Sequence, residues 1–259
     1  MPELPDLQVI SSNLDKQFSG KKIETVTLRN PKRTKTKAAE FKRVLEGQKL
    51  KTIYREGKEL RFQCDNGNVL GVHLMLHGAF ATFQDNAGQK HTILEIHFAD
   101  DSGLALTDYQ GMATPSVNPP EPEAPDALSK TVNARFLKEQ LSATRSRIKN
   151  VLVNQHIIRG IGNAYADEIL WDARISPFSI SDKIPQDKVK DLAHSIHKVL
   201  THAEKQIRKE HPDLISGEIR DFLLIHHPQK EKSPTGAPIE TKKTGGGKTY
   251  YTKEQQLFS

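Results

Sequence analysis

Pro2 and Glu3, which follow the initiator methionine, are residue types that a covalent catalyst would use. Methionine is readily removed before a small residue, and removal of Met1 would leave Pro2 with a free secondary amine. An α-amino group has a reference pKa of roughly 8, so part of it is unprotonated near neutrality and can attack an electrophilic carbon. Attack on an aldehyde-level carbon gives an iminium ion, and the Glu3 carboxyl group could shuttle protons. The alternative is that Pro2 and Pro5 only stiffen an N-terminal arm.

A second motif, Gly160-Ile161-Gly162-Asn163, is typical of a tight turn that leads into a helix. Paired glycines let the backbone approach a ligand closely, and the N–H groups of a helix N-terminus attract anions such as a DNA phosphate. The same residues would also fit a helix C-cap, a turn and an N-cap asparagine without any ligand. A dinucleotide-binding motif is excluded, because no third glycine follows and no strand precedes.

The composition favours a soluble protein with a polyanionic partner. The 259 residues include 38 Lys and Arg against 32 Asp and Glu, a formal net charge of +6. The single cysteine, Cys64, is expected to be buried, and an intrachain disulfide is excluded, which fits a reducing compartment. No apolar stretch approaches the roughly 18 residues of a membrane helix, and the N-terminus lacks a signal-peptide pattern. We therefore expect a cytoplasmic protein and no membrane partner.

Apolar periodicity predicts an α+β fold whose first region, residues 1–113, is an antiparallel β-sandwich with a flanking N-terminal helix. Leu7, Ile10, Leu14 and Phe18 recur at helical spacing. Short apolar runs then follow one another, with turn signals at residues 65–68, 85–88 and 100–103. The predicted strands cover residues 23–26, 50–54, 60–63, 69–73, 79–83, 93–98 and 104–106.

Three further regions are predicted after the sandwich. Residues 114–130 are rich in proline and acidic side chains and are predicted to form an extended linker. Helical periodicity dominates residues 131–228, which are predicted to form an α-helical domain. Residues 229–259 contain strand-like runs at 237–241 and 249–252 around the glycines of 245–247, which predict a basic β-hairpin.

The opening Pro-Glu-Leu-Pro and the run Gly-Ile-Gly-Asn-Ala-Tyr-Ala-Asp-Glu-Ile-Leu-Trp together resemble the formamidopyrimidine-DNA glycosylase and endonuclease VIII family. The order of β-sandwich, helix-two-turn-helix domain and C-terminal finger hairpin is also that of the family. The resemblance implies a monomeric DNA glycosylase and apurinic/apyrimidinic lyase of base-excision repair, which acts on damaged double-stranded DNA without a cofactor. The 8-oxoguanine-directed members of the family carry a longer capping loop where this chain has residues 215–222, so the resemblance implies oxidised pyrimidines or ring-opened and hydantoin purines as substrates. When bound to DNA, such an enzyme would be associated with the nucleoid.

The resemblance also implies catalytic roles in the N-terminal region. Pro2 would attack C1′ of a nucleotide flipped out of the duplex, and Glu3 would assist glycosidic cleavage and opening of the sugar ring. Lys58 would contact the phosphate next to the lesion, and Leu76 would fill the gap that the flipped base leaves. Without a ligand, Lys58 would be a solvated turn residue and Leu76 an ordinary core leucine.

DNA-binding roles fall on the other two folded regions. Asn163, with Gly160 and Gly162, matches the family's phosphate-binding turn, and Lys248 is the cation nearest to the family's finger arginine. The family has two further residues, an Arg and a Phe, that insert into the duplex as wedges, and neither is legible in residues 107–112. Tyr109, Gln110 or Met112 could substitute for them, but none of the three is assigned a role.

The finger departs from the pattern of family members that bind zinc. The four cysteine positions are occupied by Lys232, Thr235, Thr252 and Gln255, so a tetrahedral zinc site is excluded. We therefore expect a zincless hairpin, held by strand pairing and by packing of Tyr250, Tyr251, Leu257 and Phe258.

Two other functions compete with an active glycosylase. A catalytically silent relative would bind DNA or lesions without cutting, which the changed finger and wedge residues favour. A helix-two-turn-helix protein that binds RNA would leave the Pro2-Glu3 start unexplained.

Overall fold

The computed structural model describes residues 1–85, 88–244 and 247–259, so the predicted turns at 85–88 and 245–247 lie partly outside the described residues. The chain forms two compact units, residues 1–121 with 207–218 and residues 122–206 with 219–259. The predicted helical region and the predicted finger thus share the second unit, except for residues 207–218. In the described ranges, no helix is long and apolar enough to cross a membrane.

The first unit contains two complete helices and eight strands among its described residues. Its elements are α1 (Leu4–Phe18), β1 (Ile23–Leu28), α2 (Ala38–Leu45), β2 (Leu50–Glu56), β3 (Glu59–Cys64), β4 (Val69–His73), β5 (Ala79–Gln84), β6 (Thr92–Phe98), β7 (Ser102–Thr107) and β8 (Thr114–Val117).

The strands form two antiparallel four-stranded sheets, in the orders β1-β6-β7-β5 and β2-β3-β4-β8. Aromatic contacts show that the sheets share one core: the Phe62 and Phe80 rings, from β3 and β5, lie 5.7 Å apart. Phe18 of α1 stacks on Phe98 of β6 at 4.9 Å. The predicted sandwich with a flanking helix is confirmed.

Two elements of this unit were not predicted. Strand β8 occupies the start of the region predicted as a linker and pairs with β4, from Leu70↔Val117 to His73↔Thr114. Pro115 is tolerated there because β8 is the last strand of its sheet, and an edge strand can lack one N–H donor. Helix α2 is short and buries only Phe41, Val44 and Leu45, which is too few apolar positions for a periodic signal.

The described residues of the second unit contain three shorter α-helices, most of one long α-helix, a 3-10 helix at Ser181–Lys183 and a hairpin. The α-helices and strands are α3 (Ala134–Ser142), α4 (Ile148–Val153), α5 (Asn163–Asp172), α6 (Gln186–Glu210), β9 (Glu240–Thr244) and β10 (Gly247–Tyr251). The predicted hairpin is present, but β9 begins later than expected. The reason is that residues 237–239 pair with the preceding segment, where Ser233 N–H donates to Ala237 O at 2.9 Å and Ile239 N–H donates to Glu231 O at 2.8 Å.

Candidate active site and nucleic-acid interface

Pro2 and Glu3 lie at the buried start of α1. Glu3 is the N-cap residue of α1 and is 4% exposed. Its N–H group donates to Asp6 Oδ2 at 2.9 Å, which fixes the backbone directly after Pro2. Pro2 itself lines a cleft of about 160 Å³ in the first unit. A nucleophile at Pro2 would therefore be held by a rigid helix N-terminus beside an open space.

Lys58 occupies the tight turn between β2 and β3, next to Gly57, whose φ is +61°. Arg55 connects this turn to α1, because its side chain donates to Gln8 Oε1 at 2.9 Å and to Gly57 O at 3.0 Å. Lys58 is partly buried. The Arg55 side chain thus links α1, which directly follows Pro2 and Glu3, to the turn that carries Lys58.

Leu76 lies at the tip of the turn between β4 and β5 and is 57% exposed, so it is not a core leucine. Leu74 anchors the turn in the core, and its carbonyl accepts a 2.8 Å hydrogen bond from Gly78 N–H. Met75 has a φ of +55°, and its N–H donates to His73 Nδ1 at 3.1 Å. The turn is therefore held on both sides while its tip points away from the core.

His73 must be neutral at Nδ1 to accept that hydrogen bond. Burial, followed by the positive charge of Lys58, lowers the pKa of His73 below its usual range. The electrostatic surroundings of His73 therefore favour the same protonation state that the Leu76 turn requires.

Gly78 closes the Leu76 turn at a position where no side chain fits. A Cβ atom there would lie 2.3 Å from Leu74 O and 2.8 Å from the Ala113 side chain. Both distances are below ordinary van der Waals contact, so the close approach of the turn to Ala113 requires glycine.

Tyr109, which the sequence left without a role, is 61% exposed and lies against the Leu76 turn. Its ring centre is 4.6 Å from that of His77. The buried Asp108 carboxylate fixes the loop by accepting from three backbone N–H groups, those of Gln110, Met112 and Ala113, at 2.8, 2.9 and 2.8 Å. Leu76, His77 and Tyr109 together form an exposed apolar and aromatic tip, which we call the Leu76 tip.

In the second unit, the glycine motif forms the turn between α4 and α5. Gly160 has a φ of +104°, which favours glycine, and Gly162 is the N-cap of α5. The Gln155 side chain braces the turn: its Nε2 donates to Val153 O and Ile161 O at 2.9 and 2.8 Å, and its Oε1 accepts from Gly160 N–H at 2.9 Å. Because Gly162 caps the helix, the side chain of Asn163 is available for another role.

Asn163 contacts the finger hairpin. Its Nδ2 donates to Lys248 O at 3.0 Å, and its buried Oδ1 has no hydrogen-bond partner among the described residues. The exposed Lys248 ammonium group lies 5.1 Å from the centre of the Tyr250 ring. The structure therefore brings together two residues, Asn163 and Lys248, that lie 85 positions apart in the sequence.

Asp167, which lies in α5 shortly after Gly162 and Asn163, holds the hairpin through its carboxylate. Its carboxylate is fully buried and pairs with Lys149 of α4 at 2.5 Å and with His226 Nδ1 at 2.7 Å. It also accepts from Tyr250 N–H at 2.9 Å, and Lys149 donates to Thr249 Oγ1 at 2.8 Å. Lys149 is thus committed to the interior of the second unit and is not a free phosphate-binding cation.

Two of the four positions aligned with zinc-binding cysteines, Thr235 and Thr252, donate to a carboxylate instead. Glu254 Oε2 accepts from Thr235 Oγ1 at 2.8 Å, from Thr252 Oγ1 at 3.2 Å and from Ser233 Oγ at 3.3 Å. The Arg174 guanidinium group lies 3.3 Å from the same oxygen. The hydrogen bond from Thr235 is the main reason that the pKa of Glu254 lies below its usual range. The finger is therefore connected by hydrogen bonds to one ionised glutamate.

A basic cleft of about 220 Å³ lies beside the hairpin in the second unit. Arg147 and Phe178 line it, and the Arg147 and Lys242 side chains lie over the Phe178 ring at 5.8 and 5.2 Å. These cations add to the positive charge that Lys248 provides. Within each unit, some of the predicted residues thus lie together: Pro2 and Leu76 line one cleft, and Asn163 contacts Lys248. Glu3 and Lys58 are not among the described residues that line that cleft.

Comparison with known proteins assigns both units to one protein family. A family model of the formamidopyrimidine-DNA glycosylase N-terminal domain matches residues 1–114, and one of the corresponding H2TH domain matches residues 124–211. The formamidopyrimidine-DNA glycosylase of Lactobacillus acidophilus is 30% identical over 275 residues, which cover 100% of both chains. That of Streptococcus mutans is 28% identical and covers 97% of each chain.

Solved structures with the same fold contain DNA. The Lactococcus lactis formamidopyrimidine-DNA glycosylase, non-covalently bound to DNA with an abasic site, has a TM-score of 0.86 at 25% identity and covers 98% of this chain and 99% of its own. A complex between an inhibited LlFpg and DNA containing N7-benzyl-Fapy-dG has a TM-score of 0.88 at 25% identity, with the same coverage.

Proposed function

Because the chain belongs to the formamidopyrimidine-DNA glycosylase family and is a DNA glycosylase of base-excision repair, we propose that it excises oxidised bases and then cuts the strand through a Schiff base on Pro2. The observation that carries the proposal is the cleft of the first unit, which both Pro2 and the exposed Leu76 line. A reactive amine and an insertable apolar side chain on one cleft fit an enzyme that flips a nucleotide and attacks its sugar.

The proposed mechanism requires that Met1 has been removed, since the nitrogen of Pro2 is a non-nucleophilic amide while Met1 is attached. Glu3 then assists loss of the base and opening of the sugar ring, and the Pro2 amine attacks C1′. The iminium ion acts as the electron sink for β-elimination and then δ-elimination, so no cofactor is needed. Lys58 holds a phosphate beside the lesion, and Leu76 fills the gap in the stack.

The second unit supplies DNA affinity that does not depend on the base. The N-terminus of α5 with Asn163, and the exposed Lys248, lie on adjoining surfaces and suit adjacent phosphates. Contacts of this kind release counterions, so affinity is expected to fall as the salt concentration rises.

The preferred substrates in this proposal are ring-opened and hydantoin purines and oxidised pyrimidines. The segment from residue 215 to residue 222 is short, which limits how much of a large planar purine it could cover. The relatives carry the name formamidopyrimidine-DNA glycosylase, and one neighbour was solved with a ring-opened guanine derivative in its DNA. The nucleoid is the proposed place of action.

Borohydride trapping tests the proposal. Protein whose mass shows the loss of Met1 would be incubated with duplexes that carry an abasic site, thymine glycol, 8-oxoguanine, a formamidopyrimidine or a hydantoin. We expect an adduct on Pro2 that Pro2→Gly abolishes, base excision that Glu3→Gln slows, and little change in Pro5→Ala, which replaces a proline in the first turn of α1 and leaves the Pro2 amine intact. Binding without an adduct on any duplex would instead identify a silent DNA-binding relative, and full activity of protein that retains Met1 would exclude the Pro2 amine.

A further inference from the structure

The N-terminal ammonium group of Met1 makes an ion pair with Glu218 Oε2 at 2.7 Å. Glu218 belongs to the first unit and lines the same cleft as Pro2 and Leu76. It follows Gly217, which has a φ of +88° and so turns the chain after α6 toward the cleft. The two partners are 217 positions apart in the sequence, and no role was assigned to Glu218 from the sequence.

Met1 shows where atoms bonded to the Pro2 nitrogen lie. Its carbonyl carbon is planar and bonded to that nitrogen, as C1′ of the sugar would be in the iminium ion. The Cα atom of Met1 then corresponds to C2′, and the ammonium group to a substituent on C2′. Since the N–Cα bond is about 1.46 Å long, Glu218 Oε2 lies at most about 4.2 Å from that Cα atom, given its 2.7 Å distance to the nitrogen.

We propose that Glu218 is the catalytic base of the lyase step and removes the C2′ proton of the Pro2-linked sugar. This inference rests on the proposed Schiff base at Pro2. Glu218 takes the C2′ proton, and the electrons of the C–H bond form a C1′=C2′ enamine while the iminium nitrogen becomes neutral. The enamine then expels the 3′ phosphate by breaking the C3′–O bond, and the nitrogen is again an iminium ion. This ion then loses the C4′ proton to solvent and expels the 5′ phosphate in the δ-elimination. Water finally hydrolyses the ion to an unsaturated aldehyde and the free amine, and the proton on Glu218 returns to solvent.

The other candidate groups are less suited to this proton transfer. Glu3 is buried, is fixed by its backbone at the N-cap of α1, and is already assigned to loss of the base. Lys58 is a cation on a different turn. The Glu218 side chain is 42% exposed and its carboxylate already binds a group attached next to the Pro2-linked carbon.

Single-turnover kinetics on an abasic-site duplex would test the inference with processed Glu218→Gln. This substitution keeps the size of the side chain and removes the base. We expect the borohydride-trapped adduct to form at the wild-type rate, while strand cleavage slows by about 100-fold or more, the usual contribution of a general base. Deuterium at C2′ should then produce a larger isotope effect in Glu218→Gln than in the wild type, because proton removal limits the variant.

Glu218→Asp should recover part of the cleavage rate, and Glu210→Gln, at the exposed end of α6, should behave as wild type. Unchanged cleavage in Glu218→Gln would overturn the inference. A parallel loss of adduct and cleavage would show that Glu218 only binds DNA, which also overturns it. Failure of the proposed function is distinct, because the wild-type protein itself would then form no adduct on Pro2.

Discussion

At the level of single residues, His73 in its neutral form fixes the turn that carries the exposed Leu76. His73 Nδ1 accepts from Met75 N–H at 3.1 Å, and this hydrogen bond fixes the first half of the Leu76 turn. Protonation of His73 would replace the acceptor by a donor and break the bond. The turn therefore depends on the protonation state of His73.

The lowered pKa of His73 gives a pH dependence of definite sign. Because the folded pKa lies below the unfolded value of about 6.5, stabilisation of the turn is complete above that value and is lost as the pH falls through the folded pKa. Loss of one hydrogen bond of about 1 kcal/mol should weaken binding of an abasic-site duplex roughly fivefold at low pH. His73→Asn offers a non-titrating acceptor to the same N–H group. Binding titrations across this pH range should show a flatter profile for His73→Asn, and identical profiles would contradict the role of His73.

Tyr109 leads to a second prediction at the residue scale. Its ring is 61% exposed and lies beside His77, so we expect a base to stack on it next to the gap that Leu76 is proposed to fill. Tyr109→Ala should weaken binding to abasic-site duplex by about 1–3 kcal/mol, the usual range for base–aromatic stacking, and change the free energy of unfolding by less than about 0.5 kcal/mol. Tyr109→Phe keeps the ring and should bind as the wild type does. Equal affinities of Tyr109→Ala and wild type, measured by fluorescence anisotropy, would exclude stacking.

At the level of elements, the Leu76 tip is set by two loops that meet at one glycine. The β4–β5 turn and the loop after β7 approach each other at Gly78, where a Cβ atom would lie 2.8 Å from the Ala113 side chain. Asp108 holds the second loop through three backbone N–H groups. The positions of the exposed Leu76 and Tyr109 side chains therefore depend on the contact between these two loops.

Gly78→Ala tests this dependence. Overpacking at the contact should lower the free energy of unfolding by about 1–3 kcal/mol and weaken lesion binding, because the turn must move away from Ala113. Gly88→Ala is a matched control in another loop, where a new Cβ would meet nothing within 4 Å. Chemical unfolding and duplex binding should separate the two variants, and a Gly78→Ala protein with unchanged values would show that the turn can relax freely.

Local patterns predicted the elements of the sandwich but not how the loops present the site. The alternation of apolar residues located β4 and β5, and the Gly-x-Gly-Asn run located the turn before α5. The exposure of Leu76 could not be predicted from the sequence, because it depends on contacts of the turn with His73, Gly78 and Ala113. Strand β8 was hidden by proline and acidic composition, since its pairing with β4 outweighs local preference. Glu218 had no local signal at all, as its partner is the N-terminus.

At the level of the whole molecule, the finger is held by charges that the sequence did not reveal as a group. Glu254 connects Thr235, Thr252 and Arg174. Asp167 connects Lys149, His226 and the backbone of Tyr250. These two carboxylates link residues from distant parts of the second unit, as metal ligands would in a zinc finger. The hairpin that carries Lys248 is thus positioned by the helical core rather than by its own strand pairing alone.

Asp167→Asn should therefore separate DNA binding from the chemistry of the first unit. The substitution leaves the buried Lys149 ammonium without its carboxylate partner, so the free energy of unfolding should fall by about 3–5 kcal/mol. The surface pair Lys188–Asp191 provides the control, and Asp191→Asn should cost less than about 1 kcal/mol. In protein that remains folded at low temperature, Asp167→Asn should bind duplex DNA weakly, yet at saturating DNA it should trap the Pro2 adduct at the wild-type rate. Chemical unfolding, anisotropy and trapping would measure the three effects, and equal stability of Asp167→Asn and Asp191→Asn would show that the buried carboxylate does not anchor the finger.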